Sequence, residues 1–244
     1  MKKILIAIVS FAILVFVGIA FLLQRQSYAK IDTIEYYESV STDNPGYIKY
    51  SDGIMKYTRD GVAFLNKTGE ELWNRPCQMS NPCVEVRDEI AVVYDRNGTS
   101  ILVVEKNGLK GEIKTVRPIE KISVSKQGIV AAILKNDEAP MIICYDAAGN
   151  VLVQQSASLD NTGHPMDLAI SEDGNTLIVS YLVANGMGVS SKIKYYDFRD
   201  MDKKDHAIHE VVYENVVIPM VDYIEKEKAL FVADDGIIIY ENNL

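Results

Sequence analysis

An all-β chain folded as a β-propeller of roughly 40-residue, four-stranded blades, preceded by one transmembrane helix, is the fold class that the sequence predicts. Three observations predict it. Residues Ile4 to Leu23 form one uninterrupted apolar run. From residue 47 the chain breaks into short pieces rich in Val, Ile and Tyr, divided by Gly, Asn and Asp. Two short elements return along those pieces at an interval near 40 residues.

The apolar run follows Met1-Lys2-Lys3 and is followed by Gln24-Arg25-Gln26. A helix rises 1.5 Å per residue, so about 20 residues reach about 30 Å, the thickness of a bilayer's hydrocarbon core. A cleaved signal peptide has a shorter apolar core before a small-residue site. Ser27-Tyr28-Ala29 has the form of such a site, but the length of the run fits a spanning helix better. Residues 1–23 are therefore expected to be a cytoplasmic tip and an uncleaved signal anchor. Lys2 and Lys3 against a lone Arg25 put the N-terminus inside and the rest of the chain outside the cytoplasm. Residues 24–46 are a polar connector, closed by the turn Asp43-Asn44-Pro45-Gly46. Residues 47–244 are the propeller-like domain.

The chain holds 34 acidic and 25 basic residues, for a net charge of −9. Three of the basic residues flank the apolar run, so the outer domain stands still further on the acidic side. Nucleic-acid binding needs the opposite sign to neutralise phosphates, and is excluded as a function class. Contact with the membrane is left to the helix.

There are three cysteines. Cys77 and Cys83 flank a turn-rich stretch, Cys77-Gln78-Met79-Ser80-Asn81-Pro82-Cys83. A close pair outside the cytoplasm reads as a disulfide, against the alternative of two free thiols. Cys144, inside Met141-Ile142-Ile143-Cys144-Tyr145, reads as a small buried hydrophobe.

The strand-sized pieces run from Tyr47–Tyr50 to Ile237–Tyr240 with little helical periodicity between them. The first recurring element is a glycine turn: Asn66-Lys67-Thr68-Gly69, Glu105-Lys106-Asn107-Gly108 and Asp146-Ala147-Ala148-Gly149, with glycines 39 and then 41 residues apart. The second is Ser171-Glu172-Asp173-Gly174-Asn175-Thr176-Leu177, matched by Ser125-Lys126-Gln127-Gly128 and, more weakly, near Arg87-Asp88-Glu89 and Glu225-Lys226-Glu227. A sheet of this size cannot bury both faces alone, so such units stack around an axis.

Asn66-Lys67-Thr68-Gly69-Glu70-Glu71-Leu72-Trp73 resembles the repeat of quinoprotein-type propellers. Ser171-Glu172-Asp173-Gly174-Asn175 resembles the Ser-Pro-Asp-Gly repeat of Tol-type and lactonase-type propellers, with Glu172 in place of the proline. The layout as a whole is similar to membrane-anchored, uncharacterised propellers of Gram-positive bacteria. The resemblance covers roughly residues 47–240 and implies a fold, not an activity. A ring of six or more such blades needs about 240 residues or more, and the chain is shorter than that beyond residue 47, so an incomplete ring is expected.

No catalytic constellation stands out. His206-Ala207-Ile208-His209 reads as a charged loop entering a strand rather than a metal site, and His164 lies in a turn. Asp234-Asp235-Gly236 lacks the alternate-ligand spacing of a calcium loop. Gly186-Met187-Gly188 opens no helix and is no dinucleotide fingerprint. No cofactor-binding residue is identified. The expected function is therefore a non-enzymatic scaffold in the cell envelope that binds another protein or a polymer. The alternative is an enzyme or small-ligand sensor with its site in the central channel. The side chains facing the propeller axis discriminate between them.

Overall fold

A computed structural model describes residues 2–24, 44–136, 139–157, 162–186, 188–199, 207–225 and 228–241. The chain divides into two units, Met1–Val40 and Ser41–Leu244.

The first unit contains α1 (Lys2–Gln24). Among the described residues no helix is long and apolar enough to cross a membrane. Most of the connector expected over 24–46 lies outside the described residues.

The second unit is all strand and turn. Its first sheet is β1 (Gly46–Tyr50), β2 (Gly53–Tyr57), β3 (Gly61–Leu65) and β4 (Glu71–Pro76). The second is β5 (Pro82–Arg87), β6 (Ile90–Asp95), β7 (Ser100–Glu105) and β8 (Gly108–Lys114). The third is β9 (Ile119–Val124), β10 (Val130–Leu134), β11 (Met141–Tyr145) and β12 (Val151–Ser156). The fourth is β13 (His164–Ile170), β14 (Thr176–Asn185), β15 (Gly188–Asp197) and β16 (Ala207–Glu214). The last has three described strands, β17 (Met220–Glu225), β18 (Lys228–Val232) and β19 (Ile237–Glu241). Each sheet is an antiparallel meander with its strands in chain order.

Alternation along the middle strands explains the stacking. In β10, Ala131 and Ile133 pack towards the fourth sheet, while Val130, Ala132 and Leu134 pack towards the second. Such strands are buried on both faces and read as continuous apolar runs, as in Ile90-Ala91-Val92-Val93. Four cores result, each between successive sheets: first with second around Tyr50 and Phe64, second with third around Val92 and Val103, third with fourth around Ile133 and Val179, fourth with fifth around Ile193 and Phe231. Among the described residues no such core joins the last sheet to the first.

The glycine turns behave as the repeat requires. Gly69, Gly108 and Gly149 have φ of 76°, 126° and 90°, each between the third and fourth strands of its sheet. The Asn66 and Asp146 turns are the same structure. Each side-chain oxygen accepts the N–H groups two and four residues on, at 2.9 Å in all four cases. The second sheet uses a tighter two-residue hairpin, with Glu105 opposite Gly108. A bulge on the fourth strand is then common to all three sheets, with Leu72, Lys110 and Leu152 as the extra residues: just beyond it Trp73, Gly111 and Val153 pair with Phe64, Val103 and Cys144. Asp197, at the end of the third strand of the fourth sheet, likewise accepts the N–H two residues on, that of Arg199, at 2.9 Å. At the other repeat, Ser125 and Ser171 hydroxyls each accept backbone N–H groups across their turns, and Gly128 and Gly174 again take positive φ.

Candidate functional site

The first strands of successive sheets, β5, β9, β13 and β17, sit side by side and carry the charged side chains nearest the axis. Their register explains how. In β5, Val84 and Val86 pack into the core with the first sheet, which leaves Glu85 and Arg87 on the other face. In β9, β13 and β17 the same alternation frees Lys121, Asp167 and Asp222.

These groups bind one another across sheets. The Lys121 ammonium donates to Asp167 Oδ1 at 2.7 Å, and the Val221 N–H donates to Asp167 Oδ2 at 2.9 Å. Asp167 thus ties the third, fourth and fifth sheets together, and it is only 7% exposed. Arg87 donates to Asp222 Oδ1 at 2.8 Å, linking the second sheet to the fifth. The hydroxyls of Ser123 and Ser191 add two more stitches, accepting the N–H groups of Ile170 and Ile218 at 3.1 and 2.8 Å.

Glu85 is the member of this group whose ionisation is perturbed. Burial pushes its carboxyl above the usual carboxylate range, Arg87 opposes this, Asp222 and Asp167 add to it, and Lys121 opposes it weakly. A carboxyl whose folded pKa lies above its unfolded value costs stability as pH rises through that window. Glu85→Gln, which cannot ionise, is expected to have a higher melting midpoint than the wild type at about pH 7. The gap should narrow at about pH 4, where both states of the wild type hold the proton. Thermal melts at the two pH values check this, and an equal gap at both would contradict it.

A second feature is a cavity of about 940 Å³ lined by residues of the first three sheets, among them Arg59, Ser80, Asn81, Arg96, Glu120 and Lys135. One wall is held by Asp95, whose carboxylate accepts the Ser80 and Asn81 N–H groups at 2.9 and 2.7 Å.

The cysteines anticipated as a bridge are free thiols in this structure, as is Cys144. Cys77 packs with Trp73 and Met79 in the core between the first two sheets. Cys83 sits on β5 opposite Tyr94, on the face away from Val84 and Val86. Cys77 follows β4 in a loop, and alternation along β5 turns Cys83 away from that core, so the two thiols lie in different surroundings. Cys144 is buried, and burial pushes its thiol up to about 12, which leaves it inert.

His209 lies on β16 opposite Tyr195, with their rings 5.9 Å apart, and His164 opens β13, exposed. His206 lies outside the described residues. Among those residues no cluster of three or more His, Cys, Asp or Glu could hold a metal. Asp234 accepts the Val217 N–H at 3.0 Å, holding the connector before β17. Sequence reasoning missed the axial group altogether. Glu85, Arg87, Lys121, Asp167 and Asp222 form no local motif, and the available signal was a charge inside the first strand of each of several repeats.

Antiparallel four-stranded meanders stacked through shared cores, with the first strands gathered inside, define a β-propeller. The chain belongs to a family of unknown function, DUF5711, whose model matches residues 24–244. No curated protein matches it. Among solved structures it is similar to the Neurospora crassa Pan2 WD40 domain, with TM-score 0.54 and 14% identity, over 80% of this chain and 60% of that one. KlAtg21, solved in complex with the coiled-coil of AgAtg16, gives TM-score 0.60 and 15% identity over 80% and 64%. A KlHsv2 with loop 6CD replaced by a Gly-Ser linker gives 0.57 and 13% over 86% and 73%. At these identities the likeness is one of fold, and this chain spans only 60% of the Pan2 domain's length. Nothing in these comparisons brings a quinoprotein-type or a Tol- or lactonase-type repeat to the turns that resemble them.

Proposed function

We infer that this chain is a membrane-tethered, extracytoplasmic propeller that acts as a scaffold, binding another protein or a polymer of the cell envelope. The observation that carries this reading is the uncovered face of the last sheet. Register places Met220, Val232 and Ile237 in one row across it, with Leu230 and Ile239 in the next. Ile237 and Ile239 are 70% and 65% exposed, whereas Val221, Ala229 and Phe231 on the opposite face are buried. Contiguous exposed apolar surface of this kind marks an interaction site. Among the described residues β19 also pairs with β18 alone, so its other edge offers backbone donors and acceptors to a partner.

The axial charges favour a scaffold over an enzyme. Arg87 and Asp222, and Lys121 and Asp167, are engaged with each other, so these four act as cross-sheet ties. The tether rests on the apolar run of α1 and on Lys2 and Lys3 before it.

Two measurements test this. The full chain should stay with membranes through an alkaline carbonate wash, and recovery in the supernatant would remove the tether. A photo-crosslinking residue in place of Ile239, introduced in growing cells, should trap one discrete envelope component. Ile237→Glu should abolish that adduct without changing the melting midpoint. A persistent adduct in that variant, or none in the parent, would remove the scaffold reading of this face.

A further inference from the structure

The cavity among the first three sheets has a charge opposite to that of the chain around it. Arg59 sits in the turn between β2 and β3, Arg96 in the turn between β6 and β7, and Lys135 directly after β10. These are the same connection, second strand to third, in three successive sheets. Stacking therefore brings three cations round one hollow, although they are widely separated in sequence. The corresponding turn of the last sheet, Ala233-Asp234-Asp235-Gly236, is acidic.

Two further facts make this a built site. Most cations elsewhere on the propeller are engaged: Arg75, Arg87, Lys106, Lys110, Lys121, Lys126, Lys192, Lys194, Arg199 and Lys228 all pair with carboxylates. Arg59, Arg96 and Lys135 pair with none among the described residues; Glu120 lines the cavity with them, and the Asp95 carboxylate behind one wall is engaged by the Ser80 and Asn81 N–H groups. Their surroundings are also held in place. Arg96 N–H donates to Asn81 O at 2.9 Å and Lys135 N–H to Pro118 O at 2.8 Å. Asn81 Nδ2 donates to Arg96 O at 3.3 Å. On a chain of net charge −9, unpaired cations converging on a cavity are a local reversal of field that attracts anions.

We propose that this cavity binds a small ligand bearing a phosphate group. Guanidinium forks match phosphate oxygens with two parallel hydrogen bonds, and the ammonium and the Ser80 hydroxyl supply further donors. A volume of about 940 Å³ suits a molecule larger than the bare ion. The phosphate could be that of a soluble ester or of a lipid headgroup, and the chemistry of capture is the same. The proposal is independent of the scaffold reading, which concerns the opposite end of the sheet series.

The test uses the full chain in nanodiscs of zwitterionic lipid, titrated with inorganic phosphate and with glycerol 3-phosphate, alongside flotation of the detergent-solubilised chain with phosphatidylglycerol vesicles. The parent should bind at least one of these probes saturably. The triple variant Arg59→Gln, Arg96→Gln, Lys135→Gln should lose about a hundredfold or more in affinity, and Arg96→Gln alone about tenfold. All three positions are exposed, so the variants should keep the parent's melting midpoint, and Lys56→Gln serves as a control off the cavity. Charge-dependent binding of glycerol 3-phosphate identifies a soluble ligand, and charge-dependent binding of vesicles alone identifies a headgroup. No saturable binding in either arm, or equal binding by the triple variant, would overturn the proposal.

Discussion

Gly111→Ala is expected to cost about 3 kcal/mol or more, enough to unfold a marginally stable propeller. A Cβ at this position would lie 1.7 Å from the Ala147 carbonyl oxygen and 2.7 Å from its carbon. The obstacle is backbone, and that backbone cannot give way cheaply. Ala147 belongs to the turn in which Asp146 accepts the Ala148 and Asn150 N–H groups and the Gly149 N–H returns to Asp146 O. Gly111 is therefore the point where the outer strand of the second sheet touches the turn of the third. At the equivalent register the first sheet has Trp73, whose indole N–H reaches Lys106 O of the next turn at 2.9 Å. The two solutions differ: one sheet bridges with a side chain, the next brings backbones together. Gly108→Ala is the control. Its φ of 126° disfavours alanine by about 1 kcal/mol, but nothing lies within 4 Å of the added Cβ. Urea unfolding of the two variants should separate them clearly, and equal midpoints would show that the approach at Gly111 is unimportant.

Asp167→Ala is expected to cost about 3 kcal/mol, because it strips three sheets of one shared acceptor. The loss leaves the Val221 N–H unsatisfied in a buried setting and the Lys121 ammonium without its counter-charge. Asp167→Asn should cost less, since an amide oxygen can still accept from Val221. The cycle with Lys121→Met isolates the ion pair from the backbone bond. Urea midpoints would check the series. A cost below about 1 kcal/mol for Asp167→Ala would mean that the cross-sheet tie contributes little to holding the propeller together.

The sequence made the middle strands legible and hid three of the edge strands, β4, β5 and β8. β6, β7, β10 and β11 are buried on both faces, so Ile90-Ala91-Val92-Val93 and Met141-Ile142-Ile143-Cys144-Tyr145 announce themselves by composition. Outer strands have one face in water. In β4, Glu71-Leu72-Trp73-Asn74-Arg75-Pro76 is exposed apart from Trp73, and reads as a turn and its aftermath. β8, Gly108-Leu109-Lys110-Gly111-Glu112-Ile113-Lys114, is hidden in the same way. β5 is hidden by the opposite circumstance, since its charges point inward: Glu85 and Arg87 interrupt the apolar alternation because they face the axis. The spacing of Cys77 and Cys83 suggested proximity, but it carried no information about the core that takes Cys77 or the face of β5 that takes Cys83.

What the sequence determined by itself was local: the glycine turns, the serine turns, the doubly buried strands and the interval of their return. Positive φ at Gly69, Gly108 and Gly149 and the hydrogen bonds of Asn66 and Asp146 depend on residues within a few positions of one another. The tertiary structure alone decided which charges meet. Arg87 and Asp222 are 135 residues apart, and Arg59, Arg96 and Lys135 share a cavity only because three sheets stack in order. Pairings of that kind are set by the rotation from one sheet to the next, and no short-range pattern in the chain encodes it.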